Sequence, residues 1–142
     1  MGQCYNSVVV NAAVEDVWNS IKSFHDLSWA PNVITQVDVI GDKKDGEIGA
    51  QRKLNDAFVE TLIELNETER SFRYTIDDGP GPVAADLVES YVGSVKVFPV
   101  TATGQTFVLW MSDYKTKDDS AVGEFCNPIY QALLNDLAGH FG

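Results

Sequence analysis

Apolar positions along this chain switch period twice, and the switches divide it into elements. Val8 to Val10 mark the centre of a first strand over residues 4–12. From residue 14 the spacing becomes helical. Val14, Val17, Trp18 and Ile21 share one face of a helix over 14–24, with Glu15 and Asp16 in the first turn, where the helix dipole favours acids. The segment 25–32 reads as a short second helix or a turn, stopped by Pro31. Six strands follow, near 33–41, 47–54, 58–66, 71–77, 88–98 and 106–115. Asp42 to Gly46, Asn55-Asp56, Asn66 to Arg70, Gly79-Pro80-Gly81-Pro82 and Thr103-Gly104 supply the turn chemistry between them. The helical period then returns over 120–141. Val122, Phe125, Cys126, Ile129, Leu133, Leu137 and Phe141 form one stripe down a helix of about six turns, roughly 33 Å long.

The order is strand, two short helices, six strands, long helix. Every strand-to-strand connection is short, so the sheet is expected to be antiparallel. Seven antiparallel strands wrapped around a C-terminal helix make an α+β helix-grip fold, here a single domain over residues 1–142. A helix of that length needs a curved sheet to lie in, and a strongly curved sheet seldom closes on one helix without leaving space. That space is the expected seat of function.

Composition narrows the partners. The chain has 142 residues, 44% of them hydrophobic, which suits one domain with a real core. Its formal net charge is −11, from 21 acidic and 10 basic residues, and such a field repels nucleic acid and anionic membrane surfaces. No apolar run approaches the length of a membrane span, and the start lacks the pattern of a signal peptide, so a cytoplasmic location is expected. The opening Met1-Gly2-Gln3-Cys4 misses the myristoylation pattern at Asn6. Cys4 and Cys126 read as reduced core residues. His25 and His140 have no ligating partner at metal spacing, and no phosphate-binding or dinucleotide-binding glycine motif occurs, so neither a metal nor another cofactor is expected.

The run Val14-Glu15-Asp16-Val17-Trp18 through Phe24, then Leu27 and Trp29-Ala30-Pro31, resembles the opening of the polyketide cyclase/dehydrase group of the Bet v 1/START-like superfamily. Gly49-Ala50-Gln51-Arg52-Lys53-Leu54, Val59-Glu60-Thr61-Leu62 and the Gly79–Pro82 loop extend the resemblance over nearly the whole chain. The similar subgroup contains the plant abscisic-acid receptors and bacterial single-domain relatives. The resemblance implies a deep cavity between sheet and long helix that takes an apolar small molecule. It does not choose between carrier and enzyme.

Strand parity places Tyr91 and Gly93 on the same face as Val95 and Val97, and groups Phe72, Tyr74 and Ile76. By resemblance, Tyr74 and Tyr91 are the ligand-facing aromatic and tyrosine, Glu60 is an acidic residue of the pocket, and Phe125, Ile129 and Leu133 are the helix's ligand-facing positions. Periodicity disagrees at Glu60: Val59, Thr61, Ile63 and Leu65 make the better apolar face, so Glu60 would point outward unless a bulge near Leu62 re-phases the strand. Arg52 falls with Ile48, Ala50 and Leu54 on the apolar side. Glu60 is its natural partner there, either as a buried pair or as a pair at the rim; an Arg52 reaching the cavity would instead suit a ligand carboxylate. Trp110 is expected in the cavity wall. Two departures argue against an abscisic-acid-like response: Ile34 stands where the receptors carry a ligand-anchoring lysine, and the gate loop is reduced to about Leu54-Asn55-Asp56-Ala57.

The favoured expectation is a protein that binds a small hydrophobic molecule, gated by the Gly79–Pro82 loop and the Asn55-Asp56 turn. The runner-up is a cyclase/aromatase or dehydratase using Glu60, Tyr74 and Tyr91 for proton transfer at a ketone or enol. A third reading, a partner-binding module, requires a filled interior and an exposed apolar patch.

Overall fold

The computed structural model describes residues 1–142. Strand β1 (Gly2–Val10) leads into helix α1 (Val14–Ile21); then come β2 (Val37–Ile40), β3 (Gln51–Leu54), β4 (Phe58–Asn66), β5 (Ser71–Asp78), β6 (Val88–Val100), β7 (Gln105–Thr116) and helix α2 (Asp119–His140). The seven strands form one antiparallel sheet in the order β1-β7-β6-β5-β4-β3-β2. Only β1 leaves sequence order, to pair with β7. The architecture is the α+β helix grip.

Residues 25–32 form turns and no second helix. Side chains there take over the backbone groups a helix would use. The Asp45 carboxylate accepts from the backbone N–H of Phe24 and His25, and Asp26 accepts from the N–H of Ser28. The strand expected at 33–41 starts only at Val37, because Asn55 holds the segment before it. Its Oδ1 accepts from the N–H of Thr35 and Gln36, and its Nδ2 donates to the Val33 carbonyl. Asn55 and Asp56 both have positive φ, 54° and 52°, which suits the tight β3–β4 turn. β3 likewise begins at Gln51; Ile48, expected inward with Arg52, lies in the preceding turn and is exposed. The Gly79–Pro82 region becomes two short 3₁₀ turns, Gly81–Val83 and Ala85–Leu87, with Val83 buried.

Strand β4 contains the irregularity that matters for the site. Leu62 pairs with Tyr74 and Glu64 with Arg73, so Ile63 is an extra residue with no partner on β5. This bulge reverses the inside–outside alternation. Before it Glu60 and Leu62 face inward; Ile63 is 36% exposed; after it Leu65 joins the core side. The apolar set Val59, Thr61, Ile63 and Leu65 therefore never forms one face.

Asp118 caps α2 by accepting from the Ala121 N–H. The helix buries Val122, Cys126, Tyr130, Leu133, Leu134 and Leu137 and runs through Pro128 without ending. It leans mainly on β1 and β7, with Asn6 donating to Asn127 at 2.9 Å, and stands off β3–β5. The sheet's concave side beyond β7 is thus only partly filled. No helix is long and apolar enough to cross a membrane.

Candidate functional site

The unfilled space is a cavity of about 200 Å³ with fifteen lining residues, twelve of them hydrophobic. Arg52 and Leu54 reach it from β3, Phe58 and Glu60 from β4, Tyr74 and Ile76 from β5, and Trp110 from β7. α2 contributes Cys126, Ile129, Tyr130 and Leu133. The half-buried or exposed Val33, Ile34, Asn55, Phe58 and Ile129 form its mouth, and the buried Arg52, Glu60, Tyr74, Trp110 and Tyr130 form its floor.

Arg52 and Glu60 stand directly opposite each other in the β3–β4 ladder. They are 3% and 5% exposed. Both Arg52 contacts fall on one carboxylate oxygen: Nε donates to Oε1 at 2.9 Å, and Nη2 lies 2.7 Å from the same atom. Nη1 donates to the Phe24 carbonyl at 2.8 Å, and the guanidinium carbon sits 3.9 Å from the centre of the Phe24 ring. The turn after α1 therefore fixes the arginine. Burial pushes the Glu60 carboxyl above the ordinary glutamate range, and the Arg52 charge pulls it partly back.

Behind this pair lies a chain of aromatic hydroxyls. Trp110 Nε1 donates to the Tyr74 hydroxyl at 2.9 Å, Tyr74 donates to Tyr130 at 3.2 Å, and the Tyr130 and Tyr91 hydroxyls share a further bond. The Tyr74 ring packs against Gly93; a Cβ there would sit 2.2 Å from it, so only glycine admits the ring. Burial raises all three tyrosine hydroxyls well above their ordinary range, so they stay protonated at neutral pH. Burial also pushes the Cys126 thiol up to about 11, which keeps it an unreactive thiol.

Of the expected site residues, Arg52, Glu60, Tyr74, Trp110, Ile129 and Leu133 come together around the cavity. Tyr91 does not reach it: it is buried one hydroxyl behind Tyr130, stacked on Tyr114 at 5.4 Å. Phe125 does not line it either. It is half-buried, stacks on Phe58 and approaches Gly81, beside the mouth. Tyr130 was missed. It lies four residues after Cys126 and three before Leu133, so the helical period itself carried the signal. Ile34 lies in the mouth, leaving Arg52 as the sole cationic group of the lining.

This architecture is that of the Bet v 1/START-like helix-grip proteins. The family model described as polyketide cyclase/dehydrase and lipid transport matches residues 1–142, and the chain belongs to that family. A solved structure of a Nitrosospira multiformis protein is similar at 41% identity, with a TM-score of 0.95, over 99% of this chain and 96% of that one. The Bacillus cereus protein XoxI shares the fold at 23% identity and a TM-score of 0.81, over 99% and 96% of the two chains. So does the ginseng (Panax ginseng) major latex-like protein 151, at 16% identity and a TM-score of 0.78, over 99% and 97%. No curated protein matches the chain.

Proposed function

We propose that this protein binds a small, mainly apolar molecule between its sheet and α2. The observation that carries the reading is the cavity itself: apolar walls closing over one buried ion pair, the pattern of a ligand site with a few orienting polar groups. At about 200 Å³ it lies below the usual ligand-pocket range of roughly 300–1,000 Å³. The occupant is therefore small, and a two-chain lipid is too large. The unfilled interior also speaks against the partner-binding module. Native mass spectrometry of the gently purified protein tests the reading. A bound small molecule that Ile129→Trp removes supports it; no bound species, together with no uptake of small apolar probes, overturns it.

One observation favours a catalytic variant of this reading. Glu60 combines a raised pKa with an oxygen, Oε2, that receives no hydrogen bond, which suits general acid–base work on a bound ketone or enol. Tyr91 has no part in that scheme, since it stands outside the cavity. Turnover of any identified substrate is expected to fall by about 10²–10⁴-fold in Glu60→Gln; unchanged turnover removes Glu60 from the chemistry.

A further inference from the structure

The polar end of the cavity is unequally equipped with donors and acceptors. Three of the five N–H donors of the Arg52 guanidinium are engaged, those of Nε and Nη2 with Glu60 and one on Nη1 with the Phe24 carbonyl. The Tyr74 hydroxyl gives its proton to Tyr130 and accepts from Trp110. Glu60 keeps a whole oxygen free, because both Arg52 contacts fall on Oε1 and Oε2 accepts no hydrogen bond from the protein. That oxygen is not sealed away either: the buried side-chain polar atoms without a partner are Trp29 Nε1 and Ser112 Oγ, and Oε2 is not among them. Glu60 lines the cavity, so its free oxygen opens there. A carboxylate oxygen in an apolar space needs a donor.

Size and charge constrain the donor's owner. A dry cavity of about 150 Å³ accommodates benzene, so about 200 Å³ holds one ring and a few further atoms. An anionic ligand would meet Glu60 Oε2 across the cavity floor, while the Arg52 charge is already balanced. We propose that the cavity is selective for a neutral, single-ring-sized molecule bearing one hydroxyl or N–H group, which donates to Glu60 Oε2. This rests on the cavity-binding reading above and adds the ligand's chemical class to it.

Two constitutional isomers of equal size isolate the donor. 4-Ethylphenol donates and accepts; 4-methylanisole only accepts. Each is titrated into the purified full-length protein and followed by amide chemical shifts, with p-toluate as the anionic probe. The expected result is 4-ethylphenol binding about tenfold or more tighter than 4-methylanisole, and p-toluate weakest. Equal binding of the two isomers overturns the donor selectivity and leaves the cavity-binding reading standing. Preference for p-toluate overturns it in favour of an Arg52-held anion. Binding of none of the three removes both readings for ligands of this size.

Glu60→Gln supplies a second, directional test. Arg52 demands an oxygen, so the amide presents its NH₂ where Oε2 was. The acceptor becomes a donor, and the isomer preference is expected to vanish or reverse. A retained preference for 4-ethylphenol in folded Glu60→Gln, checked by circular dichroism, overturns the assignment. If that variant does not fold, the isomer comparison in the unsubstituted protein still decides.

Discussion

Arg52 and Glu60 hold each other inside the protein, so neither can be removed cleanly. Arg52→Leu strands a buried carboxylate and is expected to lower stability by about 3–5 kcal/mol in urea unfolding, whereas replacing both residues with well-packed apolar ones is close to neutral. Titration adds a sign. The folded Glu60 pKa lies above its ordinary value of 4.5, so the folded state holds this proton more tightly than the unfolded one. Its contribution to stability is fully present below about pH 4.5 and lost as pH rises through the folded value. The stability of the unsubstituted protein minus that of Glu60→Gln should therefore decline as pH rises above about 4.5; a difference that grows with pH means that Arg52 outweighs burial. At this scale the sequence was only partly legible. Charge pairing of Arg52 with Glu60 followed from adjacent strands, but parity along β4 pointed Glu60 outward. One unpaired residue, Ile63, reverses the phase, and no propensity marks it. Tyr91 shows the complementary limit: parity assigns a face of the sheet, and depth behind another side chain has no period.

Among the elements, β6 and α2 are coupled through their tyrosines. Gly93 of β6 makes room for the Tyr74 ring, whose hydroxyl bonds Tyr130 of α2. Gly93→Ala drives a methyl group into that ring and is expected to reduce stability by about 1–3 kcal/mol or more, read by thermal or urea unfolding. Tyr130→Phe leaves both the Tyr74 and Tyr91 hydroxyls without this partner and is expected to cost about 1–3 kcal/mol, with α2 amides exchanging faster. The elements themselves were well marked in the sequence, because α2 and the long strands have strong periods. Their ends were not. β2 and β3 start late because an asparagine side chain and a positive-φ glycine, Gly49, occupy the backbone there, and of the two forms open to residues 25–32, a short helix or a turn, the chain takes turns held by Asp45 and Asp26. The buried face of α2 is rotated by about one residue from the expected stripe: it leaves Phe125 half-buried and takes in Tyr130 and Leu134.

For the whole molecule, the decisive arrangement is a helix that rests on β1 and β7 and leaves β3–β5 uncovered. Anything that fills the gap in the native state only should raise stability, by about 2.7 kcal/mol at a hundredfold excess over Kd. Ile129→Trp should abolish that ligand-dependent gain by occupying the space itself, measured as the loss of a concentration-dependent rise in Tm. A gain undiminished in the variant places the binding elsewhere.

The unpaired Ile63 suggests a way to separate shape from composition. Excising that single residue would restore continuous pairing between β4 and β5 from Glu60 to Asn66 and still leave Glu60, Leu62 and Leu65 pointing the same way. The wall would keep its chemistry and lose its corner. A shortened chain that folds but no longer takes up guests would show that the room inside is made by a kink in one ribbon and not by the side chains that paper it.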